Sequence, residues 1–312
     1  MKKIALIGLG NLGKHYMSGL SKVKIKSEFF FIDTSAYSLN NAKKYWQSIN
    51  KKNISFKFAK KLDILPKNLD LVIIATTSES RLRIIEILAN ITKVHYWIIE
   101  KPITVDIKSL NKIYKYLSNQ KAYINISRVY SKNYLKIKNK ILPKEIMKLK
   151  AHGNCWNLAS NAIHFLYMYF WLKNSSVKKN ISFILDVTSK YETKRKGFFD
   201  FYGSLKVLMN NREIIFLNNQ PIKGNVKINL ITEIENYKTK WKINEYSNKL
   251  YINGKFNSID KGFYQSLITC KLVTNLLLKN KINLPTFSEL YTLQKKLINI
   301  FEKNFISYKK IT

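Results

Sequence analysis

An apolar run, Ile4-Ala5-Leu6-Ile7, leads directly into Gly8-Leu9-Gly10-Asn11-Leu12-Gly13, and a second run, Phe29-Phe30-Phe31-Ile32, ends on Asp33. The order strand, glycine turn, helix, strand admits few folds. Gly8 allows the tight turn, Gly10 leaves room for a pyrophosphate to approach the backbone, and Gly13 lets the helix lie close to the sheet. The helix starts at Asn11 and Leu12, so its first N–H groups point toward the phosphates. Asp33, 25 residues after Gly8, stands where a carboxylate accepts both ribose hydroxyls of an adenosine half. A bare G-x-G-x-x-G also serves ordinary turns, but here it follows a strand and opens a helix. The residues after Asp33 are Thr34-Ser35-Ala36. With no cation beside it in sequence, a 2′-phosphate would meet only the carboxylate, so NAD is expected over NADP.

At 312 residues the chain is long enough for two domains with sizeable cores. Fifty-five Lys and Arg against nineteen Asp and Glu give a formal charge of +36. The lysines are spread along the whole chain rather than gathered in one arm or helix, so no nucleic acid partner is expected, although an anionic substrate would be drawn in. No uncharged apolar stretch approaches the roughly 20 residues of a membrane helix, so no membrane association is expected. The first strand begins at once, which leaves no room for a signal peptide, and a cytoplasmic location is expected. Cys155 and Cys270 offer neither a disulfide framework nor a metal knuckle.

Leu69-Asp70-Leu71-Val72-Ile73-Ile74-Ala75 reads as a strand buried on both faces. It ends at Thr76-Thr77-Ser78, which either line the nicotinamide ribose or, in the case of Ser78, cap a helix over residues 79–89. His95 to Ile99 forms another strand, and Glu100-Lys101-Pro102 then places charged groups at the same edge. With strands near 3–7, 28–32, 55–58, 70–75, 95–99 and 122–126, and a helix over 40–53, the pattern predicts a doubly wound parallel sheet in a first domain, residues 1–126.

The second domain, residues 127–312, is expected to be α+β. Arg128, just past the boundary, is a candidate for holding a substrate carboxylate or phosphate, with a surface role the alternative. A strand over 148–151 precedes His152-Gly153-Asn154-Cys155-Trp156-Asn157-Leu158-Ala159-Ser160-Asn161-Ala162-Ile163-His164. Asn157 or Ser160 would cap the helix that follows. Ser160 with His164, and Asn157 with Asn161, stand at i and i+4 and share faces. Such polar clustering ahead of an apolar helix points to a substrate site that includes His152, while His164 alone also fits a satisfied core histidine. Alternating segments at 181–189, 198–209, 213–217, 226–235 and 239–244 predict an open, mostly antiparallel sheet, with one face on helices and the other available to a partner subunit in a homodimer or homotetramer. After Gly254 the chain is expected to return to helix, over 262–278 and again from about Ser288.

Taken together, the glycine turn, Glu100-Lys101-Pro102, the helix bearing His164 and the late Leu284-Pro285-Thr286 resemble the family of glucose-fructose oxidoreductase and inositol dehydrogenase (Gfo/Idh/MocA), in order and spacing, over nearly the whole chain. The resemblance implies hydride transfer between nicotinamide and a secondary alcohol or ketone of a sugar, acidic sugar or nucleotide sugar. Lys101 matches the lysine that orients the substrate hydroxyl, and His164 the histidine that serves as acid/base. The family commonly carries an Asp four residues before that histidine, where this chain has Ser160. The proton would then pass through Lys101, through His164 alone, or through His152. The same departure is compatible with a non-redox enzyme that retains NAD, an eliminase or epimerase, or with a cofactor-binding scaffold.

Overall fold

The computed structural model describes residues 1–50, 54–142, 145–177, 180–222 and 227–304. They divide into two compact units, one of Met1–Thr104, Lys108–Ser127 and Phe263–Ser288, the other of Val105–Ile107, Arg128–Gly262 and the residues from Glu289.

Short, fully buried apolar runs make the first sheet. In order come β1 (Lys2–Ile7), α1 (Asn11–Leu20), β2 (Ser27–Ile32), α2 (Ala36–Ile49), β3 (Ser55–Ala59), β4 (Asn68–Ile74), α3 (Ser78–Ile91), β5 (Lys93–Ile99), α4 (Ile107–Leu117) and β6 (Ala122–Ile124). The six strands are parallel and lie in the order β3-β2-β1-β4-β5-β6. The order reverses between β1 and β4, so the carboxyl ends of these two strands flank the crevice where ligands of such sheets bind. Continuous runs such as Ile4–Ile7 are buried on both faces, as a doubly covered parallel sheet requires. Trp46 of α2 fills the space over β2, edge-on to Phe29 and tilted against Phe31. The α2 helix starts earlier than its apolar spacing indicates, because the Ser35 side chain accepts the N–H of Ser38 and caps it. Lys51, Lys52 and Asn53, the last residues of the expected helix, lie outside the described residues.

The second unit contains α5 (Lys132–Lys138), β7 (Lys148–Asn154), α6 (Leu158–Leu172), β8 (Ile181–Glu192), β9 (Phe199–Met209), β10 (Arg212–Gln220), β11 (Asn229–Glu235), β12 (Lys240–Asn244), β13 (Lys249–Ile252) and β14 (Lys255–Ile259). They form one open sheet in the order β14-β13-β12-β11-β7-β10-β9-β8, in which the β7–β10 pair is parallel and the other pairs are antiparallel. Leu149, Ala151, Leu205, Val207 and Leu217 turn one face inward, the face on which α6 packs. Two further helices follow, α7 (Gln265–Lys279) and α8 (Phe287–Asn304). Phe301 of α8 meets Phe201 of β9 edge-on at 5.1 Å. Within the first unit α7 runs against α1, where a Cβ on Gly19 would come within 2.4 Å of Thr269.

The helix expected over 262–278 forms as α7, but a β-hairpin comes before it. Asn253 and Gly254 both have positive φ, 49° and 81°, and make the two-residue turn of the β13–β14 hairpin, a geometry that Asn-Gly adopts readily. The helix begins only at Gln265. The strand expected from Val226 starts at Asn229, and Val226 lies outside the described residues.

Candidate functional site

Gly8 follows β1 with φ +95°, and a Cβ there would stand 2.8 Å from the backbone of both Ala75 and Thr76. At Gly13 a Cβ would come within 2.2 Å of the Gly8 carbonyl oxygen, so α1 rests directly on the turn that precedes it. Gly10, by contrast, has open space above it, with nothing within 4 Å of an added Cβ. No side chain caps this end of α1. The N–H groups at Asn11 and Leu12 therefore face room enough for a pyrophosphate.

The Asp33 carboxylate accepts the N–H of Leu9 at 2.7 Å and that of Ser35 at 2.9 Å, which fixes it beside a cavity of about 580 Å³. Leu62, Ile84 and Ile87 give that cavity apolar walls, and Lys60, Lys61 and Arg83 line it too. Asp63 is a second acid in the lining, and apolar walls beside the immobilised Asp33 carboxylate suit the adenosine half of a dinucleotide. The cations come from beyond β3 and from α3, and so lie far from Asp33 in sequence.

Just past the ends of β4 and β6, three buried polar atoms have no hydrogen-bond partner among the described residues: Ser78 Oγ, Arg81 Nε and Asn125 Oδ1. Groups of this kind mark places for water or a ligand. Together with the cradle over α1, they fit a dinucleotide laid along this edge. Thr76 and Thr77 stand here as well. Ser78 is the first residue of α3 rather than its cap, which is Thr77, and it is buried.

Glu100 follows β5 and is 3 % exposed. Its Oε1 accepts from the Tyr16 hydroxyl at 2.6 Å and from Asn125 Nδ2 at 2.5 Å, and Asn125 also reaches Tyr16 and Gln265. Arg81, likewise buried, donates to the carbonyls of Pro102 and Thr76. Burial lowers the Arg81 pKa to about 10, against the pull of Glu100 and Tyr16, while burial and then Glu100 raise that of Tyr16. The Glu100 carboxylate is thus committed to a buried network beneath the turn, whereas Lys101, at the cis Lys101–Pro102 peptide, is half-buried.

In the second unit, the residue before α6, Asn157, has φ +60° and makes no side-chain cap; its Oδ1 accepts from the Tyr191 hydroxyl at 2.9 Å. Asp200 of β9 caps the helix instead. It accepts the N–H of Ala159 at 2.9 Å, the N–H of Ser160 at 3.2 Å and the Ser160 hydroxyl at 3.4 Å. Burial pushes the Asp200 carboxyl up to about 6, opposed by these bonds. Asn161 Nδ2 donates to the carbonyls of Trp156 and Asn157, so both asparagines organise the loop that leads into the helix. His164, one turn beyond Ser160, is 3 % exposed.

Two further residues of the expected substrate group, Arg128 and His152, have acidic partners. Arg128 Nε donates to Glu245 Oε2 at 3.1 Å, and its guanidinium lies 4.6 Å from the centre of the Phe165 ring. Tyr134 and Thr232 complete the shell of Glu245. Such a pair needs these partners because neither charge is otherwise solvated. His152 alternates with the buried Leu149 and Ala151, and so projects from the face of the sheet opposite α6. It lies 4.0 Å from Glu233, and burial, with Lys242, Lys150 and Lys240, lowers its pKa. The structure therefore gathers Asn157, Ser160, Asn161 and His164 at one end of α6 and leaves His152 outside that group. Sequence reading missed Asp200, whose one signal was an acid inside the apolar run Phe198-Phe199-Asp200-Phe201-Tyr202. Among the described residues no group of three or more His, Cys, Asp or Glu side chains could hold a metal, and no helix is long and apolar enough to cross a membrane.

A six-stranded parallel sheet with a glycine cradle at its switch point defines a dinucleotide-binding α/β protein. Residues 2–126 match the model of the Gfo/Idh/MocA family, an oxidoreductase family with an NAD-binding Rossmann fold. The match is confined to these residues, so it is the first sheet and its helices that are similar to that family's NAD-binding domain. Among solved structures it is similar to a dehydrogenase (MviM) from Clostridium difficile, at 19 % identity over 97 % of this chain and 99 % of that one, with a TM-score of 0.72. UDP-N-acetylglucosamine 3-dehydrogenase GnnA from Acidithiobacillus ferrooxidans is 12 % identical over 99 % of this chain and 98 % of that one, with a TM-score of 0.70. A myo-inositol dehydrogenase from Corynebacterium glutamicum is 14 % identical over 97 % and 96 %, with a TM-score of 0.69. At such identities the likeness is one of fold. No curated protein matches the chain.

Proposed function

We propose that the protein is an NAD-dependent oxidoreductase acting on a secondary alcohol or ketone of a sugar, acidic sugar or nucleotide sugar. The observation that carries the reading is the cradle of Gly8, Gly10 and Gly13 beside the fixed carboxylate of Asp33. When bound, the nicotinamide takes or gives the hydride. The chain's own part is to hold the substrate oxygen and move its proton. In this reading Lys101 donates to that oxygen and His164 takes the hydroxyl proton as the carbonyl forms, then returns it in the reverse direction.

The substrate class is supported by solved relatives of the same fold whose names specify a nucleotide sugar and a cyclitol. A preference for anionic substrates rests on the +36 charge rather than on Arg128, whose guanidinium is paired with Glu245. The proposed partner is a second copy of the chain, against the outer face of the second sheet, where Ile184 is 51 % exposed. The test is titration with NAD followed by turnover of a panel of sugars and nucleotide sugars. NAD binding without turnover of any of them would set the redox reading aside.

A further inference from the structure

We infer that Asp200 is a positioning residue for His164: its carboxylate, carried by β9, holds the first turn of α6 and so sets where the imidazole one turn further on projects. The inference rests on the reading of His164 as the proton-handling group. The first N–H groups of a helix have no partner within it, and leaving them buried is costly. Here the usual local solution is missing. Asn157 is in the left-handed region, offers no cap, and gives its amide oxygen to Tyr191.

Asp200, 1 % exposed, supplies what is missing, and three of its bonds end on α6: the N–H of Ala159, the N–H of Ser160 and the hydroxyl of Ser160. The fourth, from the N–H of Phe201 at 2.8 Å, ties the carboxylate to its own strand. A slide or rotation of α6 would break three bonds to a buried charge at once. Ser160 and His164 share a face of the helix at i and i+4, so holding the backbone of the first turn sets the point from which the His164 side chain projects. Tyr191 lies in the field of Asp200, and burial, then that carboxyl, raises its hydroxyl pKa well above the ordinary value. Four donors converge on the Asp200 carboxyl and oppose the burial that raises its pKa, so it is the acceptor in every one of these bonds.

The test uses the full chain as D200N and as S160D/D200N, the second moving the carboxylate onto the turn it serves. The ring carbon–proton NMR signals of the four histidines are followed, together with kcat and the NAD dissociation constant. In D200N the His164 signal should move or broaden while those of His15 and His95 stay, NAD affinity should hold, and kcat should fall by about 10²-fold. S160D/D200N should return the His164 signal and most of kcat. A folded D200N with an unmoved His164 signal overturns the inference, as does a folded double variant that recovers neither readout. If D200N does not fold, a folded S160D/D200N with a wild-type His164 signal supports it. Failure of both to fold overturns it, by making Asp200 general to the unit. Ring signals that respond as expected in a protein that oxidises no sugar support the positioning role and count against the redox reading alone.

Discussion

The hydroxyl of Tyr16 donates a 2.6 Å hydrogen bond to Glu100, joining the helix that starts at the glycine turn to the residue that precedes Lys101. Y16F would leave the buried carboxylate with one donor fewer, in a place water does not reach. It should lower stability by about 1–3 kcal/mol without abolishing NAD binding. Urea unfolding checks this, and an unchanged midpoint would show that Asn125 alone satisfies Glu100.

Gly10 and Gly13 should respond differently to alanine. At Gly13 the new methyl meets the Gly8 carbonyl at 2.2 Å, so G13A should destabilise the first unit. At Gly10 the methyl enters open space, so G10A should unfold like the wild type yet bind NAD at least about 10-fold more weakly, a loss of roughly 1.4 kcal/mol. Calorimetric titration beside thermal unfolding separates the two. Equal NAD affinity in G10A would mean that the pyrophosphate does not lie over this turn.

D33A should weaken NAD and narrow its advantage over NADP. Removing the carboxylate deletes the ribose acceptor and also the repulsion of a 2′-phosphate, in a cavity that Lys60, Lys61 and Arg83 already line. Titrating wild type and variant with both dinucleotides checks this. A wild-type preference for NADP would show that those cations override Asp33.

Asp200 carries a pH signature. Its folded pKa, about 6, is raised above the ordinary 3.8, so the folded chain holds this proton more tightly than the unfolded one. The stability it contributes is fully present below the ordinary value and is lost as pH rises through about 6, at up to about 1.4 kcal/mol per pH unit. The difference in unfolding free energy between wild type and a folded D200N should therefore drift between pH 4 and 6 and flatten above. A difference constant across that window would mean that the carboxyl is not desolvated as described.

What was legible in the sequence was local. The glycine turn, the runs Ile4–Ile7 and Leu71–Ile74 and the Glu100-Lys101-Pro102 turn each fit within one element, and the parallel sheet followed from their alternation with helices. What was not legible depended on pairings across the chain. Arg128 finds Glu245, 117 residues away, and Ser160 finds Asp200, 40 residues away, so neither the burial of Arg128 nor the real cap of α6 had a nearby signal. The position of His152 was open for a related reason: expected just past a strand ending at 151, it proved to lie within β7, where period-two alternation turns it away from α6. The Asn253-Gly254 turn is a local signal, but the short strands beside it carry little apolar alternation to mark them as a hairpin.

The most direct measurement is the appearance or loss of reduced-nicotinamide absorbance when the protein is mixed with the dinucleotide and a panel of sugars, cyclitols and nucleotide sugars, for wild type, K101A and H164A. The account predicts turnover of at least one of these by the wild type. It predicts a loss of about 10²-fold or more in each variant, with NAD affinity little changed. Variants that turn over at the wild-type rate, or a wild type that forms product while its bound NAD never changes redox state, would contradict it.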